Sequence, residues 1–207
     1  MRGVGAIQKQ GGDGKIQIMS RVTKVGLDFD GVVAYNPFRV IRAPITGFKR
    51  KILKKRGLKF FIPHNRWQQF LWRVLHESSI VPAPGLQLLR EMVKERKIEA
   101  HLVTARFNFL NQNLERWLGK FRVRDLFTTV SVNNKNQQPH LFKQEIIKKY
   151  KFDYYIEDNL DVVEYLEKNN RVKICWIYNL VDKFLYRNRA GFGYLKKALQ
   201  WIQDQEK

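Results

Sequence analysis

Five short, nearly continuous apolar runs punctuate this sequence: VTKVGLDF (22–29), IEAHLVTA (98–105), LFTTVSV (126–132), DYYIE (153–157) and VKICWIY (172–178). Longer stretches of helical periodicity separate them. PGLQLLREMVKERK (84–97) sets Leu86, Leu89, Met92 and Val93 on one face at 3.6-residue spacing. FNFLNQNLERWLGK (107–120) reaches a helix stop near Gly119. PHLFKQEIIKKY (139–150) opens with Pro139, suited to a first helical position. LDVVEYLEKNN follows the fourth run, and GYLKKALQWIQDQ closes the series. Strands apolar on both faces, alternating with helices, predict an α/β chain: a Rossmann-like, three-layer core whose parallel sheet is covered on both sides. Ligands of such sheets bind beyond the carboxyl ends of the strands.

A length of 207 residues suits one such domain with a small insert. Residues 1–20 hold five glycines and no periodicity, and are expected to be a mobile leader without the apolar core of a secretory signal. The core is expected to be 21–34 and 82–207. The single cysteine, Cys175, excludes an internal disulfide or a multi-cysteine zinc site. Its apolar surroundings predict a small core residue. The histidines (His64, His76, His101, His140) show no metal-ligand spacing, and His101 is expected to be a core histidine. No apolar run approaches the 18 or so residues of a transmembrane helix, so the default expectation is a cytoplasmic protein.

Between the first run and residue 84 the alternation fails. Residues 35–81 supply no convincing strand for the sheet but carry eleven Lys and Arg against one acid, Glu77. That is +10, half of the chain's +20. Within it, NRWQQFLWRVLHES (65–78) predicts an amphipathic helix with Trp67, Phe70, Leu71, Val74 and Leu75 on one side. The segment is expected to be a basic, mainly helical insert over the end of the first strand. Basic side chains interleaved with Phe60, Phe61, Trp67 and Trp72 fit a nucleotide or a single-stranded nucleic-acid end. They also fit an insert whose aromatics form its own core beneath a solvated basic face and, as a lesser expectation, an anionic lipid surface.

The strand ends carry the chemistry. The first run ends in Asp28-Phe29-Asp30-Gly31. Residues two apart in a strand share a side, so both acids can face one site, as cation ligands or as a nucleophile beside an acid–base group. Gly31 permits a tight exit turn and the approach of backbone N–H groups to an anion. The second run ends in Thr104-Ala105-Arg106, where a hydroxyl can donate to a phosphoryl oxygen and Arg106 can reach a second anionic group or a structural acid. The fourth ends in Glu157-Asp158, with Asp161 one helical step on. Lys143, in the first turn of the preceding helix, is the preferred cation for these carboxylates over Lys135.

In this order (D-x-D-G, T, K, E-D) the residues resemble the haloacid dehalogenase superfamily. VTAR, ERWL and WIYN are similar to its deoxyribonucleotidase branch, and the insert to its first-position cap. The resemblance implies a magnesium-dependent phosphomonoester hydrolase acting on a nucleotide or related small phosphomonoester. Asp28 would be the nucleophile and Asp30 the general acid/base, with Thr104 binding phosphate and Lys143 balancing charge. Gly31, Ala105 and Arg106 would line the substrate. Asp28, Asp30 through its carbonyl, and Asp158 would hold magnesium, with Glu157 a further candidate, since many relatives have paired aspartates or glycine-aspartate where this chain has Glu157-Asp158. Two other readings of the same residues are a phosphatase of polynucleotide ends and a non-catalytic nucleic-acid-binding module on this fold. Phosphotransfer is also compatible with them.

Overall fold

A computed structural model describes residues 21–35, 58, 61–63, 65–77 and 81–206. The expected leader and residues 36–57, 59, 60, 64 and 78–80 of the expected insert, Phe60 and His64 among them, lie outside the described residues. In chain order, strand β1 (Thr23–Asp28) leads to the two-residue β2 (Ala34–Tyr35). Helix α1 (Arg66–Glu77) and the two-residue β3 (Val81–Pro82) follow. Then come α2 (Leu86–Lys94), β4 (Ile98–Phe107), α3 (Asn111–Lys120) and β5 (Thr129–Asn133). The chain continues through α4 (Pro139–Tyr150), β6 (Tyr154–Glu157), α5 (Leu160–Asn169) and β7 (Lys173–Trp176). It ends with α6 (Leu180–Leu185) and α7 (Leu195–Gln205).

Five strands form one parallel sheet in the order β5–β4–β1–β6–β7. The chain builds outward from β1 through β4 to β5, then crosses back to β6 on the other side of β1. Strand order therefore reverses at β1, and the crevice beside its carboxyl end is the place where such sheets receive ligands. Both faces of the strands are buried, as their continuous apolar runs predict. On one face Val25, Leu27, Leu102 and Ile156 meet Leu89 and Met92 of α2, Leu114 and Trp117 of α3, and Leu199 and Ile202 of α7. On the other, Val103 and Tyr155 meet Phe142 and Ile146 of α4 and Val162 and Leu166 of α5. Cys175 is a core residue, 1% exposed, and burial pushes its thiol up to about 12.

Besides β5, which starts at Thr129 rather than Leu126 because Arg124–Leu126 form a tight helical turn, the structure departs from the sequence reading in three places. β4 continues to Phe107 rather than stopping at Ala105, and the next helix begins only at Asn111 after a single tight turn over Asn108–Leu110. The extra length is possible because a bulge between Thr104 and Phe107 lets Phe107 pair with Asn133 of β5. Second, α6 is a six-residue helix with no counterpart in the apolar pattern; Asn179 starts it by accepting from the Asp182 N–H at 2.9 Å. Third, β2 and β3 pair antiparallel, Ala34 with Pro82 and Tyr35 with Val81, joining the points where the chain leaves and re-enters the main sheet.

Candidate active site

The side chain of Asp28, the last residue of β1, faces α4. From there Lys143 reaches in, its Nζ 3.1 Å from Asp28 Oδ1 and 2.7 Å from Glu157 Oε2 at the end of β6. All three are nearly or wholly buried, with side-chain exposures of 8%, 5% and 0%. Burial alone would discharge the lysine, but the two carboxylates outweigh it and hold the ammonium charged well above its ordinary range. Burial pushes the Asp28 carboxyl up; Lys143 opposes this, while Glu157, Asp158 and Asp30 add to it. Burial likewise raises Glu157, against the pull of Lys143. Lys135, by contrast, is exposed on the turn after β5.

Both oxygens of Glu157 are engaged, Oε2 by Lys143 and Oε1 by the Asn159 N–H at 3.1 Å. Two residues earlier on the same face, Tyr155 is fully buried beside Glu157. Burial raises that phenol, with the nearby charges of Glu157 and Asp28 adding to the effect. Asp158 is partly exposed at the rim, and its carbonyl accepts from the Trp176 indole N–H at 3.3 Å. Asn159, rather than Asp161, caps α5, its side chain accepting from the Asp161 N–H at 3.0 Å.

Beyond β1 the chain turns sharply. Gly31 sits at φ 83, in the left-handed region that favours glycine, and donates its N–H to the Ala34 carbonyl at 2.7 Å. The turn places Asp30 opposite β4, where Arg106 grips it in a two-pronged ion pair: Nε to Oδ2 at 2.7 Å and Nη2 to Oδ1 at 2.6 Å. The Arg106 side chain is only 3% exposed, and its guanidinium lies over the Phe29 ring, 4.6 Å from the centroid. Two residues back on β4, Thr104 is 1% exposed, and its hydroxyl oxygen accepts from the Arg106 N–H at 3.3 Å. Ala105 occupies the bulge between them, partly exposed.

Asp28, Glu157 and Asp158 can each bring a carboxylate oxygen within 4.8 Å of the others. The donors are all hard oxygens, which fits magnesium, an ion held by one or two protein carboxylates that otherwise keeps its waters. Asp28, Glu157 and the partly exposed Asp158 are the residues that could hold such an ion. The structure thus brings Asp28, Asp30, Thr104, Arg106, Lys143, Glu157 and Asp158 to one end of the sheet. The sequence reading allowed Arg106 a structural acid without identifying it; the structure shows the Arg106–Asp30 fork. The two-residue spacing of Thr104 and Arg106 on an extended strand was its available signal.

No family model and no curated protein matches the chain. Solved structures do. A haloacid dehalogenase-like family hydrolase from Streptococcus pneumoniae is 10% identical, with a TM-score of 0.56, 87% of this chain and 98% of that chain being covered. A protein classed as a beta-phosphoglucomutase from Thermotoga maritima is 16% identical, with a TM-score of 0.57 and coverages of 88% and 99%. A haloacid dehalogenase-like hydrolase from Bacteroides fragilis is 12% identical, with a TM-score of 0.54 and coverages of 86% and 100%. At such identities the likeness is one of architecture: the chain has the fold of the haloacid dehalogenase-like hydrolases.

Proposed function

We propose that this chain is a magnesium-dependent phosphomonoester hydrolase working through an aspartyl-phosphate at Asp28. The observation that carries this reading is the buried Lys143 between Asp28 and Glu157, with Thr104 on the adjacent strand end. A carboxylate attacking a phosphate dianion meets a repulsion of roughly 4 kcal/mol per unit-charge pair at 4 Å and an effective dielectric of 20. Lys143 offsets it from a fixed position, already desolvated, which is the condition under which a charge is most useful to a transition state. Asp28 and Asp158, with the Asp30 carbonyl, would hold the magnesium, which supplies further positive charge to the phosphoryl oxygens.

In the first step an Asp28 oxygen forms a bond to phosphorus as the ester P–O bond breaks, and the departing oxygen takes a proton from Asp30. In the second, Asp30 takes a proton from water, the water oxygen bonds to phosphorus, and the Asp28–phosphorus bond breaks to release inorganic phosphate. Thr104 donates to a phosphoryl oxygen throughout. Arg106 fixes Asp30 in one geometry, its two N–H donors leaving each carboxyl oxygen a second lone pair for proton transfer. The nucleotide class is supported by the VTAR, ERWL and WIYN segments and by the +10 carried between residues 35 and 81.

The test is phosphate release by wild-type and Asp28→Asn protein, in magnesium and in EDTA. The panel comprises an aryl phosphate, nucleoside monophosphates, sugar phosphates and 3′- or 5′-phosphorylated oligonucleotides. Release that requires magnesium and vanishes in the variant is expected. Undiminished turnover by Asp28→Asn would refute the nucleophile.

A further inference from the structure

Helix α1 is amphipathic, and it faces the opposite way from a helix that serves a core. Its inner contact is Trp72, half-buried, whose ring lies 6.5 Å from that of Phe107 at the end of β4 and 5.9 Å from that of Phe61. At about 100° per residue, Trp67, Phe70, Leu71 and Val74 fall on one stripe, roughly 140° round the helix from Trp72. These four are 67%, 54%, 45% and 52% exposed. The helix is therefore held by its aromatic anchor and presents its apolar stripe outward. Arg66 and Arg73, both exposed, flank the stripe on one side.

We propose that this stripe rests on an anionic lipid surface. The inference is independent of the catalytic reading. Its first support is charge complementarity. The segment from 35 to 81 carries eleven basic residues against one acid, so it is drawn to a negatively charged face. Its second is the make-up of the stripe. An aromatic and aliphatic face beside arginines, on a helix too short and polar to span a bilayer, is the composition of a helix lying in the headgroup plane. Single-stranded nucleic acid, the other polyanion, needs open ring faces for its bases. Here Trp67 and Phe70 are stacked on each other, centroids 5.6 Å apart and 23° from parallel, so each ring covers a face of the other. Leu71 and Val74 offer no ring at all.

The experiment is co-sedimentation of the full chain with vesicles of phosphatidylcholine alone and with 30 mol% phosphatidylserine, beside a Trp67→Ser/Phe70→Ser variant and a separate Val74→Asp variant. Vesicle affinity is expected to be at least tenfold higher with phosphatidylserine, to weaken on raising salt from 50 to 500 mM, and to fall at least tenfold in both variants. Their circular dichroism and melting curves should match wild type, because the substituted side chains are exposed; should one variant unfold, the other still decides. Three results overturn the proposal: no vesicle binding by wild type, equal binding by folded variants, or an oligonucleotide or second copy of the chain whose binding the variants abolish while vesicle binding persists.

Discussion

Replacing Lys143 by Met removes a charge while keeping the length of the side chain, and the geometry gives the size of the effect. At separations of 3.1 and 2.7 Å and an effective dielectric of 20, the lysine attracts Asp28 and Glu157 by about 5 and 6 kcal/mol. Much of that offsets the desolvation of three buried charges. The net loss on breaking a buried pair from one side is about 3–5 kcal/mol, a large part of the 5–15 kcal/mol that holds a typical domain folded. The deficit should also depend on pH. Burial raises Asp28 and Glu157 in the folded protein, so folding takes up protons there, and the stability this confers is lost as pH rises through the raised values. Without the lysine both rise further, and the deficit should be greatest at neutral pH and shrink toward pH 5. The assay is urea denaturation in EDTA of wild type, Lys143→Met and Lys143→Met/Glu157→Gln at pH 5.0 and 7.5. The double variant should recover more than half of the single variant's loss at pH 7.5. A Lys143→Met protein within about 1 kcal/mol of wild type, or a deficit that grows as pH falls, would refute the reasoning.

Three other expectations follow from the described contacts. Arg106→Lys keeps the charge but not the fork on Asp30, so turnover of alkyl phosphates should fall by roughly 10–100-fold, within the reach of a misplaced general acid. Aryl phosphates leave without a proton, so the first step alone, read as the single-turnover rate of phosphoryl transfer to Asp28, should be spared for them, and equal slowing of that step on both would show that Arg106 is merely structural. Gly85→Ala places a Cβ 2.4 Å from the Lys196 nitrogen at φ 123, where both the backbone angle and the neighbouring helix resist it. The urea midpoint should report a loss of about 3 kcal/mol. His101 is 1% exposed, and burial lowers its pKa, so the fold prefers the neutral ring. Its contribution is complete above the ordinary histidine range and declines as pH falls below it. A His101→Phe variant, which keeps the ring against Tyr150 and Phe152, should flatten the stability profile between pH 7 and 5.

Much of the core was legible because burial on both faces leaves unbroken apolar runs, and β1, β6 and β7 lie where VTKVGLDF, DYYIE and VKICWIY stand. Helix α4 matches its reading residue for residue, since Pro139 marks its start. The end of β4 was not legible, because a bulge is a matter of pairing with β5 and leaves no mark in the apolar pattern. Helix α6 escaped for a different reason: six residues are too few to establish a period. At the site, the strand-end carboxylates could be found from position alone. The pairing of Arg106 with Asp30 crosses 76 residues and depends on how the turn at Gly31 aims a side chain. The stripe on α1 was readable as a stripe, but which way it faces is set by Trp72 against Phe107.

The small ribbon of β2 and β3 has a consequence for how this protein can change. Ala34 pairs with Pro82, and the Ala83 N–H donates to the Val33 carbonyl at 2.9 Å, so the two ends of the intervening chain are fastened side by side. Once they are fastened, the entropy of closing what lies between grows only with the logarithm of its length, about 0.6 kcal/mol for each doubling. Relatives could lengthen, shorten or replace that stretch at little thermodynamic cost to the sheet. The insert can then vary in length and composition while Asp28, Lys143 and Glu157 stay fixed.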